Sequence, residues 1–83
     1  MSNGPSLAEI FGRYVRAQRE QRHWTRVQLG AKAGLTGQYI SFLERGQHAP
    51  SLDTVLRIAW ALGHTGADAV KTVEDMIRAE RPS

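Results

Sequence analysis

The sequence contains no cysteine. A disulfide framework and a thiolate metal site are therefore both excluded, and the core has to hold by packing alone in what reads as a reducing, cytoplasmic setting. Long apolar runs are missing too: nothing approaches the roughly 20 residues that cross a bilayer as a helix. Met1 to Pro5 lack the basic cluster and apolar block of a signal peptide, so no membrane partner is expected. Proline- and glycine-rich linkers, internal repeats and the alternating pattern of a strand are likewise absent. The 83 residues fit one small domain, of a size that buries only about 60% of the surface its unfolded chain exposes. Its core is expected to be thin.

Acidic residues are scarce in the first three-fifths of the chain. Met1 to Pro50 carry six arginines and Lys32 against Glu9, Glu20 and Glu44, a net of +4, whereas Ser51 to Ser83 carry four basic and five acidic residues, a net of −1. A positive field concentrated on one part of a domain suggests a polyanion as partner.

What the sequence does contain is a succession of helix signals. Ser6 with Glu9 has the reciprocal capping pattern, after which Leu7, Ile10, Phe11, Tyr14 and Val15 recur at helical spacing. Gln18 falls within that apolar face and needs solvent or a partner. Thr25 with Gln28 repeats the cap, with Trp24 placed to staple onto Leu29, and Gly34 ends the second helix. Thr36 caps a third helix that closes at Gly46, Leu35 being placed to staple onto Ile40. Pro50-Ser51 opens a fourth, with Leu52, Val55, Leu56, Ala59 and Leu62 inward, ending at Gly63. Thr65 and Asp68 open a fifth, lined on one side by Val70, Val73, Met76 and Ile77, with Lys71–Asp75 and Glu74–Arg78 as solvated pairs. The expectation is an all-α, compact five-helix bundle: flexible ends at 1–5 and 81–83, one domain over 6–80, and a last helix over about 66–80.

The stretch between Gly34 and Gly46 holds an unusual stripe. With Gln38 at zero and 100° per residue, Ser41, Phe42 and Arg45 lie within about 60° of it, while Ile40 and Leu43 lie opposite and point inward. An amide, a hydroxyl, an aromatic ring and a guanidinium together can bond base edges, touch a thymine methyl and grip a phosphate. A mixed solvent face with one misplaced Phe is the plainer alternative. The second and third helices are joined by about three residues and must press together. Gly30, costing about 1 kcal/mol of helix propensity, is either room for that approach or a tolerated glycine.

The joint pattern from Arg26 to Arg45, with Gly30, Gly34, Ile40 and Leu43 at fixed places, resembles the helix-turn-helix of the phage repressor and Cro family, also called the XRE family. The blocks R-A-Q-R-E-Q (Arg16 to Gln21), W-T-R-V-Q-L-G (Trp24 to Gly30), Y-I-S-F-L-E-R-G (Tyr39 to Gly46) and P-S-L-D-T-V-L-R-I-A-W-A-L-G (Pro50 to Gly63) extend the resemblance over Phe11 to Gly63. It implies a lambda-repressor-like fold with its motif at 26–45 and a recognition helix at about 37–45. The implied function is a sequence-specific DNA-binding transcriptional regulator, a homodimer on a palindromic operator, similar to restriction-modification controller proteins and mobile-element regulators that act on their own promoters.

Carried over residue by residue, the resemblance makes Gln38, Ser41 and Phe42 the base contacts and Arg26, Thr36, Tyr39 and Arg45 the phosphate contacts. For Tyr39 a half-buried ring is the alternative, and for Lys32 a solvated face is preferred. Arg19 and Glu44 are implied to form an ion pair that aims the recognition helix. Gly37 departs from the family's common glutamine, and Gln47 from a common lysine. The expected partners are double-stranded DNA, a second copy through Trp60, Val73, Met76 and Ile77, and RNA polymerase, in a cytoplasmic, nucleoid-associated setting. The alternative function is a protein-interaction module such as an antitoxin or adaptor. His23, His48 and His64 are scattered near helix ends, so no metal or other cofactor is expected. No nucleophile elbow, phosphate loop or paired carboxylates support an enzyme.

Overall fold

A computed structural model describes residues 4–80. The expected flexible ends at 1–3 and 81–83 lie outside the described residues; within them, Pro5 is half-buried ahead of the first cap. The chain is an all-α bundle of five helices, α1 Leu7–Gln21, α2 Arg26–Ala33, α3 Gly37–Glu44, α4 Leu52–Ala61 and α5 Gly66–Glu80.

Each helix starts where a hydroxyl can satisfy an amide left orphaned in its first turn. Ser6 Oγ accepts from Glu9 N at 3.1 Å while Ser6 N donates to Glu9 Oε1 at 2.8 Å. Thr25 and Gln28 reproduce this exchange at 3.0 and 2.8 Å. Thr36 Oγ1 accepts from Tyr39 N at 3.0 Å, Ser51 Oγ from Thr54 N at 3.1 Å and Thr65 Oγ1 from Asp68 N at 3.0 Å. The α1–α2 turn passes through His23 at φ 58, the single non-glycine residue in the left-handed region among those described.

The core draws on every helix: Phe11, Tyr14 and Val15 from α1, Leu29 and Ala33 from α2, Ile40 and Leu43 from α3, Ile58, Ala59 and the C-cap Leu62 from α4, and Ala69 from α5. Helix α5 packs on α1 and α4, with Val73 and Met76 only partly buried against the cluster. Polar ties link the helix ends. The Tyr14 hydroxyl meets His64 Nδ1 at 2.9 Å, Arg22 Nη2 donates to the Leu62 carbonyl at 2.8 Å, and Arg13 pairs with Glu80. Gln18 finds its partner in Arg22, whose Nη1 donates to Gln18 Oε1 at 2.9 Å.

One apolar expectation is corrected. Leu52, expected inward, is 71% exposed, because it is the first residue of α4 and no neighbour covers it. Leu7, 68% exposed, and Val70, 47%, stay on the apolar sides of α1 and α5, where they line one groove with Val73 and Ile77. Arg78 pairs with Asp75 at 3.3 Å, not with Glu74, because Asp75 lies between Lys71 and Arg78 and serves both.

Candidate nucleic-acid interface

The α2–α3 corner is formed by backbone approach. Gly34 takes φ 73 and stops α2, and Leu35 N donates back to the Gly30 carbonyl at 2.8 Å. A Cβ on Gly30 would lie 2.4 Å from the Leu35 carbonyl oxygen, so the room this glycine provides is for the turn itself. On the other side a Cβ on Gly12 would lie 2.3 Å from the Leu43 carbonyl oxygen. Helix α3 thus rests directly on the α1 backbone at a position the sequence reading did not single out.

Charge then fixes the direction of α3. Arg19 grips Glu44 with two bonds, Nε to Oε2 at 2.6 Å and Nη2 to Oε1 at 3.0 Å, while its Nη1 donates to the Trp24 carbonyl at 2.9 Å. Arg26 Nε donates to the same Glu44 Oε1 at 3.0 Å. The Glu44 side chain is only 2% exposed, against 43% for Arg26. One buried carboxylate therefore joins α1, α2 and α3. The hydrogen bond that Arg19 donates to Glu44 is the largest influence on its pKa and raises it over an opposing desolvation. Arg26, expected at a phosphate, is thus already tied to the last turn of α3.

Outward from this anchor lie the stripe residues. Gln38 and Arg45 are exposed, Ser41 and Phe42 half-buried. Phe42 does not stand alone: Arg45 Cζ sits 5.3 Å from its ring centre, and His48 meets it edge-on at 5.4 Å. Tyr39 lies 6.4 Å from His48 and packs partly against the core, as a half-buried ring would. His48, dismissed as a metal ligand on spacing, belongs to this aromatic group; its sequence position in a loop gave no sign of it. Among the described residues no set of three His, Asp or Glu is gathered that could hold a metal ion.

Further residues stand differently from expectation. Lys32 is not simply solvated, since its Nζ lies 4.7 Å over the Trp24 ring. Val27 is 70% exposed at the first turn of α2, against Gly37. Trp60, 63% exposed, lines a depression with Ala31, Lys32 and Arg57 between α2 and α4. Val73 and Ile77 line a separate apolar groove with Leu7, Phe11 and Val70, and Met76 packs on the core. The expected dimer residues therefore fall on different parts of the surface.

A family model described as helix-turn-helix matches residues 15–68, spanning all of α2, α3 and α4. The chain belongs to the helix-turn-helix family, of the XRE type. Among its helix-turn-helix relatives is the immunity repressor protein of Bacillus phage phi105, 37% identical over 70 residues, which are 84% of this chain and 48% of the repressor. The chain thus spans about half or less of the length of the first curated relatives it matches. Solved structures are similar as well. The clp gene regulator ClgR of Corynebacterium glutamicum has a TM-score of 0.81 at 26% identity, covering 92% of this chain and 81% of that one. The restriction-modification controller protein C.AhdI of Aeromonas hydrophila has a TM-score of 0.70 at 29% identity, covering 75% and 94%.

Proposed function

We propose that the protein is a sequence-specific DNA-binding transcriptional regulator that lays α3 in the major groove. The observation that carries this reading is the anchored helix: Glu44, buried between two arginines, fixes α3 from behind while Gln38, Ser41 and Arg45 are left in front with polar groups suited to a duplex. Gln38 and Ser41 take base edges, and Phe42 takes a thymine methyl or sugar. Arg45, Thr36, Tyr39 and the exposed head of Arg26 take phosphates. The fold and the naming of its relatives as repressors and regulators support the same class of activity. DNA of this kind is met in a bacterial or phage-infected cytoplasm.

A motif of this size reads few base pairs, so a two-fold pair on a palindrome, with half-sites about 34–36 Å apart, is part of the proposal. The groove of Leu7, Val70, Val73 and Ile77 is the better dimer face: it is continuous and apolar, whereas Trp60 lies apart beside Lys32 and Arg57.

Selection of bound sites from random duplexes tests the reading. It should return one symmetric motif, with binding that weakens steeply with salt at a log-log slope of about −5 to −9 if six to ten phosphates are neutralised. Gln38→Ala should relax preference at one base pair per half-site, with about 1–3 kcal/mol of discrimination lost there, whereas Arg45→Ala should weaken all duplexes alike. No enriched motif, or a motif indifferent to Gln38, would refute it.

A further inference from the structure

We infer that Val27 reads the 5-methyl group of a pyrimidine, making the start of α2 part of the specificity surface. The inference rests on the DNA-reading proposal above and adds a residue from the other helix of the motif.

Gly37 opens α3 without a side chain, and Val27 closes over it. A Cβ built on Gly37 would lie 2.9 Å from Val27 Cγ2 and 3.2 Å from both the Cα and N of Val27. The tight approach is to backbone as well as methyl, so a substituent there would need α2 and α3 to give by a few tenths of an ångström. At the tip of α3 the side-chain surface is therefore supplied by α2. On the helical wheel Gly37 lies about 40° from Ser41, on the flank of the stripe that faces α2. Val27 accordingly borders the stripe, between the exposed Arg26 before it and the exposed Gln38 that follows Gly37.

A singly exposed aliphatic residue is common on protein surfaces. This one has three properties that an incidental residue does not combine. It remains 70% exposed although it packs on α3. A β-branched side chain on a helix has essentially one χ1 rotamer, so its methyls are already placed and little entropy is lost on contact. Its carrier is also fixed relative to α3, because the adjacent Arg26 donates to Glu44 at 3.0 Å. An isopropyl group makes no hydrogen bond, and the only apolar feature the major groove offers is the pyrimidine 5-methyl group of thymine, or of a 5-methylated cytosine.

The experiment is a methyl scan of the selected operator. Each thymine is replaced in turn by uracil, which removes the methyl group alone, and binding is measured for the wild type and for Val27→Ala. Val27 is exposed, and a matched melting temperature confirms that the variant folds. One thymine per half-site should lose about fourfold in wild-type affinity, the worth of one buried methyl group. Val27→Ala should bind the thymine and uracil operators equally there while keeping its dependence on Gln38. Placing cytosine and then 5-methylcytosine at that position separates the two sources: both 5-methyl pyrimidines should be favoured by wild type and neither by the variant. If every thymine–uracil difference survives in Val27→Ala, or if the variant weakens all duplexes uniformly, the inference is overturned while the DNA-reading proposal stands. Absence of any selected operator would remove both.

Discussion

Glu44 ties three helices together through one side chain. Its buried carboxylate satisfies Arg19 twice and Arg26 once. Replacing it by alanine leaves Arg19 uncompensated in a low-dielectric site, which costs about 3–5 kcal/mol. For a domain this small each kcal/mol lowers the melting temperature by about 4–8 °C. Glu44→Ala should thus melt more than 10 °C below wild type (about 3 kcal/mol or more), and an unchanged melting curve would show the triad to be incidental. Arg26→Ala should cost about 0–1 kcal/mol because its head is solvated and Arg19 still holds the carboxylate. The Arg19–Glu44 pair was reachable through family resemblance. Arg26 was not, because nothing in a separation of 18 residues says that two side chains share a carboxylate.

Tyr14 offers a second test at this scale. Burial raises the pKa of its hydroxyl, with Asp68 adding to the shift and Arg22 opposing it. A group whose pKa is higher folded than unfolded stabilises fully below its unfolded value, about 10 for tyrosine. That contribution is lost as pH rises through the folded value. Tyr14→Phe should therefore cost about 1 kcal/mol at neutral pH, through the lost bond to His64, and show a smaller loss of stability than wild type between pH 8 and pH 11 in denaturant titrations.

At the scale of elements, starts and stops were written locally and could be read. Ser6, Thr25, Thr36, Ser51 and Thr65 each bond an amide three residues on, and Gly34 takes the left-handed turn. Contacts between elements were less legible. Periodicity identifies the apolar side of α1, α4 and α5 but not what stands opposite, which is why Leu52 falls on an inward face that no neighbour covers. Gly12 shows the same limit: it looks like a helix weakness until the Leu43 carbonyl is seen 2.3 Å from where its Cβ would be. Gly12→Ala gains about 1 kcal/mol of helix propensity, yet forcing α3 off α1 costs about 1–3 kcal/mol. The net should be destabilisation accompanied by weaker DNA binding, measured by chemical denaturation and duplex titration. Gly66→Ala would meet only the mobile end of Leu56 and should be near neutral. Equal stability of the two variants would contradict direct α1–α3 contact as the seat of the recognition helix.

For the whole molecule, the division of labour runs along the chain. The basic part contains the anchored α3, and the nearly neutral remainder adds α4 and α5; the apolar groove that α5 forms with Leu7 and Phe11 of α1 has no cover within the described residues. Val70→Asp should leave the fold intact, since Val70 is 47% exposed, and shift the protein to monomer in sedimentation at micromolar concentration. A monomeric wild type, or a dimeric Val70→Asp, would discard that face. The central claim is that the front of α3 meets double-stranded DNA. Its most direct test is the change in backbone amide NMR signals when a selected duplex is titrated into the protein. The largest shifts should fall on Arg26, Val27 and the stretch from Thr36 to Arg45, and those of the outer face of α5 should move least; shifts centred on α5 or on Trp60, with Gln38 and Ser41 unmoved, would contradict it.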